Sequence, residues 1–494
     1  MHSILDPIII EPNFQLSTFN LFPMIQPTLL LKDPTETLTC IPGPNDLLGR
    51  LRGVSVAIQG AHILDVAPYP VLAARYDLSQ TQIIDVRGKI LAPGFVDSHT
   101  HVVFGGSRVQ EYAARMTRTP AEVRALGIPT GITATMAMTR AASEDELVAS
   151  AAARLHQMLR AGTTTVESKS GYGLSLAHEL KMLRVNQRLK HASRPSTTGG
   201  EQVVSATVPP PPSAQGASEI ANPQHPERSG NLPDSRPYSS PAQSKDAAPN
   251  SLPLPDILST FLGAHAFPPD KSHDAYVDEI IHDMLPAVKA EHLAYFCDVY
   301  IDEGYFTLPQ TRRILETARD MGFKLKIHAD QYGALGGSEL AAELGVVSAD
   351  HLNYTAPETM RSLADAGVVG VLMPLIDFAV QHPRPFDARA MLDAGMTLAL
   401  ATDICPGGWT ESMQLVMQFA CRQHRFSPEE ALYAATVGGA RALALSDRGA
   451  LAPGLRADIQ IWDVSTFEEV IYRLGGNVVE GVVLGGKEVY RVNR

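Results

Sequence analysis

From residue 95 to residue 402 the chain alternates short apolar runs with stretches whose apolar positions recur every three to four residues. That is the pattern of buried strands separated by amphipathic helices. The runs cover 95–102, 163–167, 259–265, 296–300, 324–328, 347–351, 368–373 and 397–402. Helical stretches lie between them at 144–160, 310–321 and 358–366, the last two each following a proline, Pro309 and Pro357, as helix starts often do. Alternating strands and helices predict a parallel α/β fold, and eight such strands fit a closed (β/α)8 TIM barrel.

Both ends of the chain read differently. Residues 54–60, 63–66 and 81–89 near the start, and 457–462 and 478–490 near the end, cluster β-formers around glycine. They predict one small sheet domain built from 1–90 and 447–494, with the barrel over 91–446. Residues 191–254 break the rhythm. They hold 12 of the 36 prolines, including Pro209 to Pro212, among Ser, Ala, Gln and Asn. Such composition cannot bury enough apolar surface to offset chain entropy, so the segment is predicted disordered. It follows a helix around 176–190 and precedes the third barrel strand, on the barrel face opposite the active site. An insertion without catalytic role is expected there.

Composition narrows the classes. With 494 residues, 45% hydrophobic and 19% charged, the chain is an ordinary globular one. A net charge of −12 argues against a nucleic-acid or anionic-membrane partner, but a local arginine can still hold a small carboxylate. Cys40, Cys297, Cys405 and Cys421 lie far apart with no CxxC spacing, which argues against a disulfide framework or zinc knuckle. With no signal-like start and no bilayer-length apolar run, a soluble cytoplasmic protein is the expectation.

The chemistry-bearing residues sit at strand ends. Residues 91–104 end an apolar run in His99-Thr100-His101, and alternation along a strand points both imidazoles the same way. His328 ends the fifth strand, His351 the sixth, and Asp403 follows the eighth. Any one of these could be structural, but together on one barrel face they suit a borderline divalent ion better than Mg²⁺ or Ca²⁺. The expected ligands are His99, His101, His328 and Asp403, and the ion is Zn²⁺ or Fe²⁺. Such an ion draws the pKa of water towards neutrality. His351 is then placed to shuttle protons, Asp403 to accept one, and Gln331 to hydrogen-bond substrate or water. Arg108 can reach a substrate carboxylate bidentately. Tyr172, between Gly171 and Gly173, offers a hydroxyl, the glycines allowing close backbone approach to a ligand, and His265 should face the same cavity. With no lysine at the fourth strand end a single ion is expected, although Asp298 there could bridge two.

These residues resemble the metal-dependent amidohydrolase superfamily and, within it, the imidazolonepropionase family. The resemblance rests on PGFVDSHTHVVFGGSR, MTRAASEDEL, GTTTVESKSGYGL, TFLGAHAFP, KIHADQ, GVVSADHL and GALAPGLRADIQIWD, in family order over about 90–190 and 255–490. It implies a distorted barrel with a composite β-sandwich, one zinc or iron ion (Fe²⁺ or Fe³⁺) and a homodimer. The implied reaction is ring opening of 4-imidazolone-5-propanoate by water to N-formimidoyl-L-glutamate. It also implies that Arg108, Tyr172, His265 and Gln331 contact substrate and that His351 is a catalytic acid/base.

Two departures stand out. After the aspartate the family pattern reads Asn-Pro-Gly and then Ser or Thr; here Cys405 and Gly408 flank Pro406-Gly407. Where the family carries a glycine triplet, residues 127–132 read Gly-Ile-Pro-Thr-Gly-Ile. Losing an amide and a hydroxyl from the substrate pocket around Cys405, Gly407 and Gly408 weakens binding by a few kcal/mol if nothing replaces them. The same change would mark a related amidohydrolase or deaminase acting on another small cyclic amide. A non-catalytic binding relative using the Pro-rich segment is a third reading.

Overall fold

The computed structural model describes residues 25–192 and 253–492. Eight parallel strands form one sheet in chain order: Phe95–Asp97, Thr163–Lys169, Asp256–Ala264, Phe296–Val299, Lys324–Ala329, Ser348–His351, Val369–Leu372 and Leu398–Leu400. These are the eight expected barrel strands, and the barrel is near closed. The seam between the first and last strands is bridged by Thr402, whose backbone N–H and hydroxyl donate to Asp97 at 3.0 and 2.6 Å.

The first strand is shorter than expected, ending at Asp97 rather than 102. Beyond it the backbone divides its hydrogen bonds between two neighbours. Thr100 O accepts from Lys169 N–H at 3.0 Å on one side. On the other, His99 O accepts from Asp403 N–H at 3.0 Å, and His101 N–H donates to Ile404 O at 2.9 Å. That alternation keeps both imidazoles on one face although the regular ladder has ended.

The helix Glu144–Arg160 has the expected bounds, because Ser143 and Glu146 close a capping box at its start. Leu308–Asp320 and Pro357–Asp365 take their prolines into the first turn instead of following them. A missing N–H costs nothing there. Among the helices not foreseen are Tyr69–Arg75 in the N-terminal sheet region and Val109–Arg115, Pro120–Ala125 and Gly131–Ala141 after the first barrel strand.

Two further sheets stand outside the barrel. One orders His62–Ala67, Ser55–Gln59, Leu29–Lys32 and Gln82–Asp85; the other orders Lys487–Arg491, Val479–Leu484, Ile459–Trp462, Ile90–Pro93, Glu36–Leu38 and Arg50–Leu51. The second sheet joins both ends of the chain, since Ile90–Pro93 pairs with Ile459–Trp462. One apolar cluster draws on both sheets, with Leu29, Leu31, Val56 and Ile58 against Leu91, Ile459, Ile461 and Val483. Only Gly94 separates Ile90–Pro93 from the first barrel strand, so this sheet anchors the strand that leads to His99.

The helix Leu176–Ala192 and the strand Asp256–Ala264 flank the Pro-rich segment. Apart from its edges, that segment lies outside the described residues. No helix among the described residues is long and apolar enough to cross a membrane.

Candidate functional site

His99, His101, His328, His351 and Asp403 are all buried and converge at the C-terminal ends of the first, fifth, sixth and eighth strands. Donor atoms within 4.8 Å of one another form three groups: His99, His101 and Asp403; His99, His328 and His351; and Asp298, His328 and Asp350. His99 thus joins Asp403 to His328. Asp403 Oδ1 lies 3.6 Å from His99 Nε2 and 3.7 Å from His101 Nε2. The His99 and His328 rings stand edge-on with centroids 4.6 Å apart. His351 lies 5.5 and 5.3 Å from these two rings.

The far side of each imidazole explains its orientation. His99 Nδ1 lies 2.7 Å from Asp350 Oδ2 and His328 Nδ1 lies 3.1 Å from Asp298 Oδ1. A carboxylate accepts, so each Nδ1 carries the proton and each Nε2 presents a lone pair to the cavity. Both Nε2 atoms are buried with no hydrogen-bond partner. Burial, reinforced by Lys169, holds the His99 imidazole neutral, far below its usual pKa; burial and the neighbouring histidines do the same for His101. Among the described residues no lysine or arginine lies within 4 Å of Asp403, whose carboxyl burial pushes up. Unpartnered imidazole lone pairs beside an uncompensated carboxylate fit one divalent ion, which supplies the missing charge.

Beneath the histidines lies a charged cluster that the sequence reading did not assemble. Lys169, Lys326, Glu167, Asp298 and Asp350 are all fully buried. Lys169 Nζ lies 2.6 Å from Asp298 and 3.3 Å from Asp350. Burial raises the Asp298 carboxyl, but His328 and Lys169 outweigh it and hold the group well below the usual range. Asp298, considered as a bridge between two ions, accepts from His328 Nδ1 and from Lys169 Nζ. The spacing Glu167-Ser168-Lys169 was the available signal, because alternate strand residues face the same way.

The other expected site residues surround this centre. His265 stacks on His101 with centroids 5.1 Å apart and 12° between planes. Its Nδ1 lies 3.0 Å from Gly171 O, and burial pushes it down to about 3. Tyr172 packs 5.4 Å from His101 and 5.2 Å from His265. Burial raises its phenol well above the usual range, so the hydroxyl keeps its proton. Gln331 is buried two residues past the fifth strand and its backbone oxygen accepts from His382 Nε2 at 2.9 Å.

Arg108 is more committed than expected: Nε and Nη2 donate to Glu111 at 2.6 and 2.9 Å. A cavity beside it is lined by Arg108, Arg115, Arg118, Gln381, Pro406 and Gly407. A Cβ on Gly407 would sit 3.5 Å from Arg108 Nη1 and 3.6 Å from Cys405 Sγ, so the free end of the guanidinium and the thiol meet there. Burial pushes the Cys405 thiol up to about 12, keeping it neutral. Residues 405 and 408 exchange backbone hydrogen bonds of 3.0 and 3.2 Å, and a Cβ at Gly408 would collide with Ile376 Cδ1. Ile376 therefore fills the space of the side chain that Gly408 lacks.

Gly171 and Gly173 make room for protein rather than ligand. Gly171 has φ +105°, and a Cβ there would lie 2.8 Å from His265 Nδ1 and 2.9 Å from Leu262 O. Gly171→Ala is expected to destabilise the fold by roughly 2–5 kcal/mol, from strain plus overpacking. A lower urea midpoint at unchanged slope would register it.

Residues 278–490 match the model of the Amidohydrolase family. The chain is 38% identical over 449 residues to the imidazolonepropionase of Geobacillus kaustophilus (strain HTA426), covering 90% of this chain and 91% of the relative. It is 34% identical over 474 residues to that of Clostridium tetani (strain Massachusetts / E88), covering 94% and 98%. Among solved structures, an adenosine deaminase from Xanthomonas campestris with bound zinc is similar at TM-score 0.63 and 17% identity, covering 94% of this chain and 93% of that one. Zinc-complexed atrazine chlorohydrolase from Arthrobacter aurescens TC1 is similar at TM-score 0.61 and 17% identity, covering 94% and 95%. These two share the fold.

Proposed function

The chain belongs to the imidazolonepropionase family of amidohydrolases, and from that premise we propose that it opens the ring of 4-imidazolone-5-propanoate with water to give N-formimidoyl-L-glutamate. The observation that carries the reading is the convergence of imidazole lone pairs and the Asp403 carboxylate from separate strand ends. His99, His101, His328 and Asp403 would hold one divalent ion, zinc or iron. Bound there, such an ion acidifies water and polarises an amide carbonyl.

The chain's own groups do the rest. Arg108 grips the propanoate carboxylate with its free Nη1 while Glu111 steadies the other edge of the guanidinium. Tyr172 and His265 wall the cavity beside His101, and the Gln331 amide orients substrate. Cys405, Gly407 and Gly408 line the end of the pocket near Arg108. As water oxygen bonds to the ring carbonyl carbon, Asp403 takes the proton. His351, neutral and buried at rest, relays that proton from Asp403 to the ring nitrogen as the C–N bond breaks, so that both groups return to their starting states.

In the same proposal, the described residues of 1–90 and 447–494 form one domain, those of 91–446 form the barrel, and the protein works as a cytoplasmic homodimer. Metal analysis of the purified protein, followed by loss of imidazolone absorbance, tests the reaction. A metal-loaded protein inert towards imidazolone propanoate would overturn it. Hydrolysis of another small cyclic amide is favoured by one observation, the filling of the Gly408 space by Ile376, and turnover of such an amide alone would promote that reading.

Arg108→Met is expected to raise KM about 10- to 100-fold with kcat nearly held, the effect of losing one charge-assisted hydrogen bond. Initial rates across substrate concentrations measure that split.

A further inference from the structure

Lys169 belongs to no step described above, yet its ammonium is buried among three carboxylates. Its Nζ lies 2.6 Å from Asp298 Oδ2, 3.3 Å from Asp350 Oδ2 and 3.1 Å from Glu167 Oε2. Asp298 and Asp350 are also the groups that accept from His328 and His99. We infer that Lys169 is a positioning residue for the metal centre, a single cation that fixes both carboxylates and through them the orientation of two ligand histidines. The inference rests on the reading that His99 and His328 hold the ion.

The argument is one of geometry and charge. The two carboxylates come from the fourth and sixth strands and the histidines from the first and fifth, while Lys169 ends the second. Among the described residues, no other lysine or arginine nitrogen lies within 4 Å of Asp298 or Asp350. Without Lys169, two buried like charges would face each other, and each would relieve the repulsion by turning away. That movement withdraws the acceptor that keeps a histidine in its Nδ1–H tautomer with Nε2 towards the cavity. Ser348 Oγ donates to the other Asp350 oxygen at 2.8 Å, so the Asp350 arm has a second support. Among the described residues, Asp298 has Lys169 alone beyond its histidine.

Lys326 supplies an internal control. It is equally buried and shares Glu167 at 2.7 Å, but its other partner is Ser98 O at 3.0 Å, not a carboxylate that holds a ligand histidine. A general need for buried positive charge would make the two lysines equivalent. A positioning role would not.

The test compares wild type, Lys169→Met and Lys326→Met after chelator stripping, reading Zn²⁺ affinity by competition with a chromophoric chelator. Apo-protein urea midpoints are measured in parallel. Lys169→Met is expected to weaken Zn²⁺ binding by about 10- to 100-fold and Lys326→Met by less than about threefold, although both lower the apo midpoint. Lys169→Met within threefold of wild type overturns the inference, as does an equal loss in both variants. If Lys169→Met does not fold, Lys169→Gln, which keeps N–H donors without the charge, is read against the same limits. A wild-type protein that binds no ion would sink the proposed function itself; one ion bound with Lys169→Met unchanged sinks only the role of Lys169.

Discussion

Asp403→Ala is expected to leave less than about a tenth of the wild-type metal per chain and to lower kcat by at least about a thousandfold. The Asp403 carboxylate lies beside His99 and His101, with Oδ1 at 3.6 and 3.7 Å from their Nε2 atoms. Neutral imidazoles alone leave a divalent charge uncompensated in a buried pocket, which is costly. Losing the proton acceptor removes a further factor of about 10²–10⁴ from turnover. Asp403→Asn separates the two effects. It keeps the shape and one ligand oxygen but cannot take a proton, so metal should be partly retained while kcat stays at the Ala level. Metal analysis beside absorbance assays reads both. Full turnover in Asp403→Asn would remove Asp403 from the proton path and leave it only a ligand.

The position of Asp403 shows how far the sequence could be read. Eight apolar runs named the barrel because each strand is almost wholly buried, and their ends pointed to His99, His101, His328, His351 and Asp403, which the fold brings together. The ends themselves were less legible. The run 95–102 looks like one strand, but beyond Asp97 its hydrogen bonds turn to Ile404 and Asp403, partners about 300 residues away. Distance in sequence also hid the pairing of Lys169 with Asp298 and Asp350, since the Glu167-Ser168-Lys169 spacing marks a shared face of one strand but not the carboxylates of two others. The short strands Glu36–Leu38 and Arg50–Leu51 have too few residues to alternate and exist through pairing with Ile90–Pro93 and each other. Arg108 reads as free in sequence, whereas Glu111, three positions on, holds two of its nitrogens through the first turn of Val109–Arg115.

His351→Asn is expected to lower kcat by about 10²–10⁴ while metal content and KM stay within about threefold of wild type. The backbone chooses the variant. His351 has φ +80° and Leu352 φ +62°, a left-handed pair locked by Leu352 N–H donating to Ala329 O at 3.1 Å. Such a conformation costs a non-glycine residue about 1–3 kcal/mol and persists where the surroundings over-determine it. Asparagine tolerates it better than alanine does, so loss of activity in His351→Asn reports on chemistry rather than on the turn. The outcome also decides between two uses of the imidazole. Its Nδ1 is buried without a partner, and one of its nitrogens lies within 4.8 Å of donor atoms on His99 and His328. A ligand at that position would take metal with it when replaced; a proton carrier would not. A fall in kcat at full metal occupancy therefore assigns His351 to proton transfer, and a parallel fall in metal content would make it part of the ligand set instead.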